Sequence, residues 1–222
     1  MSIVEKYFKL LNDKREYLVK IFANLIIQLA VTFYVAFKFT KQNLSFYMMA
    51  FVVICQILIV FLLHRTSNIG IQFVLFLVFS TMNGLILNFF GENNMKIVKD
   101  VFKIVGIIFV AMFVLGGLLL AGGIAFGIWT LVLMMVLLII YLLYSWFGTN
   151  LNVMYIFGCA LFTAFIVIDT NLILQDNYEE KNTPINASMR YYLDILNLYE
   201  VILGKKKSGK TIQKISSIRK SK

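Results

Sequence analysis

The sequence has few charged residues, few cysteines and almost no histidine or proline. Only 14% of its 222 residues are charged, about half of the share found in an average soluble domain. The two cysteines, Cys55 and Cys159, lie in apolar runs and give neither a disulfide framework nor a CxxC metal-ligand spacing. A single histidine, His64, rules out a histidine-based metal cluster. With one proline, Pro184, and no Ser/Gly-rich linker, the sequence predicts one bundle without a second domain.

Hydrophobic residues take the place of the missing charge. They make up 60% of the chain, and the mean hydropathy is +0.84. A water-soluble core of this size cannot bury so much apolar surface, whereas a helix of about 20 apolar residues crosses a hydrocarbon layer of roughly 30 Å. The pattern predicts an all-α integral membrane protein built as a bundle of seven hydrophobic helices. The predicted segments are residues 19–37, 44–63, 69–90, 101–121, 124–144, 151–174 and 187–203.

Charged residues are concentrated outside these segments. Residues 1–18 combine mixed charge with apolar residues spaced for one face of a short helix, which predicts an amphipathic lead-in at the cytoplasmic surface. Residues 204–222 form a tail with eight basic residues and no acidic one, which favours the cytoplasmic side. We interpret the net charge of +10 as contact with membrane lipid, and not with nucleic acid.

The two basic ends conflict with seven complete crossings of the 19–203 bundle. With the N-terminus inside, seven spans would place the tail, residues 204–222, outside. The last segment, 187–203, is near the lower limit of length for a span. Either this segment is re-entrant or otherwise does not cross, or one of the other predicted spans is wrong.

Glycines cluster in the middle of the sequence. Gly123 and Gly127 have the spacing that lets two helix backbones approach closely. The cluster predicts helix packing and a tight turn near Gly122.

Two aspartates, Asp169 and Asp194, interrupt apolar segments, in LFTAFIVIDTNLIL and MRYYLDILNLYEVIL. An ionised carboxylate near the bilayer centre costs roughly 2.5 to 3.5 kcal/mol, so such residues are rare unless they face a partner or water. If both carboxyls meet inside the bundle, repulsion and desolvation make them share a proton. Loss of that proton would push helices apart and create an anionic oxygen site for a hard cation such as Ca²⁺. Alternatively, Asp169 pairs with a basic residue or caps near an interface, and Asp194 bonds a neighbouring helix.

Arg65, with His64 beside it, ends the second predicted segment. In this topology Arg65 and Asp169 both lie toward the cytoplasmic face, so a charge-assisted latch between them is geometrically allowed. The alternative is a basic side chain that reaches to the interface and sets the topology. His64 titrates near neutral pH in its ordinary state, but a lone interfacial histidine usually has no further role.

These residues also carry a resemblance to a known family. IDTNLIL, followed further along by RYYLDILNLYEVIL, resembles the C-terminal signature of the transmembrane Bax-inhibitor-motif family, which includes the Bax inhibitor, Lifeguard and Golgi anti-apoptotic proteins. In that signature a DTQ-like element precedes a YLDIINLF-like element. Both aspartates, their spacing, Asn197 and Leu198 agree, and Asn171 replaces the usual glutamine. A second segment, residues 64–87, is also similar to the family; its sequence is HRTSNIGIQFVLFLVFSTMNGLIL.

The resemblance implies seven helices around a central last helix, and a pH-sensitive Ca²⁺ leak channel. In such a channel Asp169 and Asp194 form the proton-sharing sensor and bind Ca²⁺ transiently, and an arginine ending the second helix is the latch. Alignment through Gly70 leaves open whether Arg65 or His64 takes that position. The implied location is the endoplasmic reticulum or Golgi for a eukaryotic or viral protein, and the plasma membrane for a bacterial one. Eukaryotic and viral members suppress cell death.

The expected partners are membrane lipid, Ca²⁺ as the permeant ion, and membrane proteins of cell death or Ca²⁺ handling, with no cofactor. The oligomeric state stays open. The sequence contains no nucleophile and base constellation, so it predicts no catalytic residues and no enzyme. The alternative function is a membrane adaptor that binds partner helices without conducting ions. A transporter is a third hypothesis, and the lack of paired interrupted helices argues against it.

Overall fold

The computed structural model describes residues 1–38, 46–90, 95–147 and 150–220. It describes the backbone only for His64, for residues 206–220 and for positions 46, 49, 88–90, 95, 96, 146 and 151. Nine helices and no strand occur in these ranges, which confirms the all-α class. The helices are α1 Ile3–Asp13, α2 Arg15–Lys38, α3 Phe46–Arg65, α4 Ile69–Phe90, α5 Met95–Ala121, α6 Ile128–Phe147, α7 Leu151–Ile173, α8 Tyr178–Lys181 and α9 Pro184–Lys220.

Each predicted hydrophobic segment corresponds to one of these helices, and α1 and α8 are additional. Five helices in the described part of the chain are long and apolar enough to span a membrane, which supports an integral membrane protein. In α3 the described apolar stretch, Ala50–Leu63, is shorter, and α9 is outside this set, so the count of seven spans stays a prediction. The five spans are Arg15–Lys38, Ile69–Leu87, Ile97–Ala121, Ile128–Ser145 and Asn152–Ile173.

Two of the helices that matter for the site begin with standard capping residues. The side chain of Asn150 accepts hydrogen bonds at 3.1 and 3.3 Å from two backbone N–H groups in the first turn of α7. α9 begins at Pro184, a residue suited to the first helical position. The Thr183 hydroxyl accepts a hydrogen bond at 3.3 Å from the backbone N–H of Asn186. Both helix starts are therefore specified locally.

The helices form two compact units. The α2–α4 unit comprises Leu11–Asn93 and Asp176–Tyr192, and the α5–α7 unit comprises Met1–Leu10, Asn94–Gln175 and Leu193–Lys222. The helix α9 thus contributes its first turns to one unit and the rest of its length to the other.

A network of uncharged polar side chains runs through the core of the α2–α4 unit. The Ser80 hydroxyl of α4 donates to the side-chain carbonyl of Gln28 at 2.7 Å, and the hydroxyls of Thr32 and Tyr192 lie 2.6 Å apart. Each of these polar groups is paired within an apolar bundle, where an unpaired one would be costly. The network therefore fixes the start of α9 against α2 and α4. Its members are Asn24, Gln28, Thr32, Ser80, Ser188 and Tyr192.

The turn between α1 and α2 is attached to the segment that follows α7. Lys14 is 5% exposed, and its Nζ donates to the Glu179 carboxylate at 2.9 Å and to the Asp176 carbonyl at 3.0 Å. The Tyr17 hydroxyl donates to the Asn182 carbonyl at 2.9 Å. These contacts hold α8 and its flanking turns, which the sequence did not predict, against the start of α2.

The predicted lead-in, residues 1–18, forms α1 and the first residues of α2, and its part in the α5–α7 unit, Met1–Leu10, has one buried side chain. Tyr7 is buried against α5, where a Cβ at Gly117 would overlap the tyrosine ring. Ile3 and Phe8 are 53% and 63% exposed and leave an apolar face uncovered. Part of the lead-in therefore packs in the unit, and the exposed face is suited to a membrane surface.

The close approach predicted for Gly123 and Gly127 is wrong. α5 ends at Ala121 and α6 begins at Ile128, so the two glycines share no helix, and a Cβ on either would meet open space. The tight turn near Gly122 is confirmed, since Gly123 has φ +91°, which L side chains rarely adopt.

Candidate functional site

Asp169 on α7 and Asp194 on α9 are buried, with 5% and 6% of their surfaces exposed. Every other acidic side chain that the structure describes is exposed. Both aspartates belong to the α5–α7 unit. Because a buried carboxyl must be paired, protonated or hydrated, the two are the most costly acidic groups in the described chain.

Two contacts fix how α7 and α9 pack in this unit. A Cβ on Gly158 of α7 would lie 3.0 Å from Val201 of α9, and the Lys205 ammonium lies 3.8 Å from the centre of the Tyr155 ring. The α7 numbers fall as the α9 numbers rise. The two helices therefore run antiparallel along this contact.

The helical repeat then relates the aspartates to the contact. Asp169 follows Gly158 by 11 residues, and Asp194 precedes Val201 by 7. Because an α-helix turns by about 100° per residue, each aspartate points within roughly 20° of the direction of the contact residue on its own helix. At a rise of about 1.5 Å per residue, their backbones lie at levels that differ by roughly 6 Å, about one turn. Both aspartates thus lie on the faces that α7 and α9 turn toward each other.

The opposite face of α7 is packed on α5. A Cβ on Gly116 would lie 2.5 Å from the backbone carbonyl oxygen of Val167 and 2.9 Å from the Cβ of Thr170. Helix backbones this close leave no room for lipid or water between them. The segment that carries Asp169 is therefore held from behind by α5.

Asn171 anchors the turn between α5 and α6. Its side-chain amide donates to the carbonyls of Gly116, at 3.3 Å, and Ile124, at 2.8 Å, and its carbonyl accepts from the backbone N–H of Phe126 at 2.9 Å. Gln175 donates to Asn171 at 3.2 Å. The sequence showed Asn171 only as a replacement for the usual glutamine, because nothing in it reveals the turn carbonyls that this residue reaches.

Asn171→Leu should destabilise the α5–α7 unit by about 2 kcal/mol, because buried backbone groups of the turn lose their partners. For a chain of this size, the apparent Tm in detergent should fall by about 5 °C. Asn177→Leu is the matched control, since Asn177 is exposed, and it should leave the Tm within about 1 °C of wild type. Equal Tm values for the two variants would contradict the anchoring role of Asn171.

The two predicted latch residues belong to the other unit. Arg65 ends α3, is exposed, and its guanidinium lies 5.1 Å from the centre of the Phe61 ring. The His64 side chain lies outside the described residues. The latch stays a prediction.

The oxygen content of the site limits how it can bind Ca²⁺. Two carboxyls supply at most four of the six to eight oxygens that Ca²⁺ takes. Among the described residues, no group of three or more His, Cys, Asp or Glu residues is placed to hold a metal ion. The carboxyls of Asp169 and Asp194 alone therefore supply fewer oxygens than a resident Ca²⁺ takes.

Comparison with known proteins supports the fold and the signature. A search of curated proteins gives no significant match. The family described as "Inhibitor of apoptosis-promoting Bax1" matches residues 14–205, which include both aspartates, Asn171 and all five candidate spans. With most of its length matched, the chain belongs to this family and is a Bax-inhibitor-type transmembrane protein.

Proposed function

We propose that this protein is a pH-sensitive Ca²⁺ leak channel gated by Asp169 and Asp194. The observation that carries the proposal is the burial of these two carboxyls on the facing sides of α7 and α9. Membership of the Bax-inhibitor family agrees with it.

The direction of the side chains supports a pair. In an α-helix each Cα–Cβ bond tilts toward the N-terminus. Because α7 and α9 are antiparallel here, Asp169 tilts toward the level of Asp194, and Asp194 tilts toward the level of Asp169. The offset of roughly 6 Å along the helices is thereby reduced, and the carboxyls come within range of a shared proton.

The proposed gate follows from the charge of the pair. Below neutral pH the pair holds a proton, and a hydrogen bond between the carboxyls keeps α7 and α9 together. As the pH rises the proton leaves, and two carboxylates in a low-dielectric site repel each other. The helices part, and the oxygens face a path that suits a hard cation. Flux should therefore rise with pH.

The proposal extends to the membrane setting. We propose that α3 and α9 complete the seven membrane segments and that α9 is the central helix, with the protein in an internal membrane or a bacterial plasma membrane. Its effect on a cell would be to lower stored Ca²⁺, and through it to suppress cell death in a eukaryotic or viral setting. Lipid, Ca²⁺ and Ca²⁺-handling or cell-death membrane proteins are the proposed partners. No cofactor and no catalytic step are required.

The test is Ca²⁺ flux into liposomes that hold the purified protein, with the same pH on both sides, scanned from about pH 6 to 8. We expect flux that rises across this range, with protein-free liposomes as the control. Absence of flux above that control at every pH would contradict the leak and favour the membrane adaptor. Flux that is equal at all pH values would retain the leak and reject the aspartate gate.

A further inference from the structure

A cavity of about 750 Å³ lies in the α5–α7 unit, where it is bordered by α6, α7 and α9. Its wall is mostly aliphatic and aromatic, but polar side chains occur along its whole length. The polar side chains are Ser145, Asn152, Asn197, Glu200 and Lys205, together with the hydroxyls of Tyr141 and Tyr155. A volume of this size holds a small ligand or many water molecules.

The cavity has an inner and an outer end. Asn152, at the start of α7, and Lys205, near the start of the basic tail, line the outer end, whereas Phe162 and Asn197 line the inner end. Asp194 lies one helical turn before Asn197 on α9. The cavity therefore leads from the tail side of the unit toward Asp194.

Between the inner end and the aspartates the packing is tight. Phe162 and Ile166 of α7 are 4% and 0% exposed, and Leu198 of α9 is 0% exposed. Phe162 and Ile166 precede Asp169 by 7 and 3 residues on nearly the same side of α7. Phe162 lines the cavity, and the burial of Ile166 and Leu198 shows that the helices are packed closely beyond it. A parting of α7 from α9 would loosen this packing.

The charged groups of the cavity have opposite signs and different surroundings. Glu200 is exposed, unlike the two buried aspartates, and it belongs to the cavity wall. Lys205 is exposed at the outer end, and its ammonium lies 3.8 Å from the centre of the Tyr155 ring, a distance typical of a cation–π contact. A carboxylate in a cleft with low-dielectric walls focuses its field and raises the local concentration of cations.

We propose that this cavity is a water-filled cation vestibule on the side of the basic tail, in which Glu200 attracts hydrated cations and Lys205 opposes them. The inference rests on the proposed leak function and deepens it, because it assigns the cation-recruiting residue and the approach to the aspartates. Water fits the cavity better than a lipid acyl chain, since a chain would leave Glu200, Asn197 and Ser145 against hydrocarbon.

The two charges give flux predictions of opposite sign. Glu200→Gln should lower Ca²⁺ flux at pH 8 by about threefold or more, and Lys205→Gln should raise it by a similar factor, because each changes the vestibule potential by one charge. The aspartates set the pH dependence, so flux should still rise with pH in both variants. Glu180→Gln removes another exposed carboxylate, on α8, and should leave flux unchanged. A loss of flux with Lys205→Gln, or no change with Glu200→Gln, would overturn the assignment.

A second measurement needs no flux. In a protein with Cys55 and Cys159 replaced by alanine, Ser145→Cys should react with a cationic, water-soluble methanethiosulfonate at least about tenfold faster than Ile139→Cys. Both positions are on α6, and Ile139 is 54% exposed outside the cavity wall. Adding Glu200→Gln should lower the ratio of the rates with the cationic and an anionic reagent by about threefold or more.

The two measurements separate the two proposals. Suppose that the wild type carries no flux, that Ser145→Cys reacts rapidly, and that its ratio of rates with the cationic and the anionic reagent depends on Glu200. The proposed leak function is then rejected, and the hydrated cation site is retained. If Ser145→Cys reacts as slowly as Ile139→Cys, the cavity holds lipid and the vestibule is rejected, even where a pH-dependent flux is present.

Discussion

Asp169→Asn and Asp194→Asn should each hold Ca²⁺ flux at pH 8 at the level that the wild type shows near pH 6. Asparagine has nearly the shape of protonated aspartate but cannot ionise, so either variant removes the repulsion that parts α7 from α9. Two carboxylates in direct contact range, about 4 to 6 Å apart, repel by about 3 to 4 kcal/mol in surroundings with an effective dielectric constant of about 20. Since 1.4 kcal/mol changes an equilibrium tenfold, the loss of flux at pH 8 should be at least about tenfold.

The pair also predicts how the two changes combine. If the aspartates act through one shared proton, the double variant should match each single variant, because the first substitution already abolishes the interaction. Asp100→Asn is the matched control, since Asp100 is an exposed acid on α5 of the same unit, and it should keep the wild-type pH profile. A single variant with the full pH response would remove that aspartate from the gate, and additive losses would show two independent groups.

The sequence singled out Asp169 and Asp194 because a carboxyl inside an apolar run is costly unless it faces a partner or water. Helix positions were predictable for a similar reason, since the hydropathy of each membrane segment is a property of its own residues. The family signature added the relation between the two aspartates. Their roles in gating stay predictions, because gating depends on charge states and motions that a pattern of residues does not contain.

Contacts between helices were the part that the sequence could not supply. The Gly123 and Gly127 spacing predicted close packing, yet both residues lie in the connection between α5 and α6. The close backbone approaches occur at Gly84 and Gly116. A glycine shows its role only when its neighbour is known. The extension of α9 to Lys220 was missed because hydropathy ends at the basic tail, although lysine itself is a good helix former.

Polar residues in the core also escaped prediction. Asn24, Gln28 and Thr32 recur every fourth residue on α2 and are all buried. That recurrence in an otherwise apolar helix is a signal of a buried polar face, because uncharged polar groups in membranes bond across helices. Glu200 also had a signal, as an acid within the apolar stretch LNLYEVIL of α9, but only the cavity showed which surface it lines.

Gly116→Ala should lower the apparent Tm of the protein in detergent by about 5 °C. The new Cβ would lie 2.5 Å from the carbonyl oxygen of Val167, and a backbone atom of a packed helix cannot move aside as a side-chain end can. Overpacking of this kind typically costs 1 to 3 kcal/mol, or about 2 to 4 °C per kcal/mol in a chain of this size. Separation of α5 from α7 would also let the α7 segment that carries Asp169 adopt more than one position. The pH response of the flux should therefore broaden in the same variant.

Gly106→Ala provides the control on the same helix, because a Cβ at Gly106 meets nothing within 4 Å. Gly106→Ala creates no overlap and only lowers the conformational entropy of the unfolded chain. The Tm of this variant should therefore stay unchanged or rise slightly. Both variants gain the same helix propensity, and the difference between their Tm values therefore measures the α5 and α7 contact alone. Equal Tm values would mean that α5 and α7 do not approach closely at Gly116, and the packing behind Asp169 would have to be assigned to other residues.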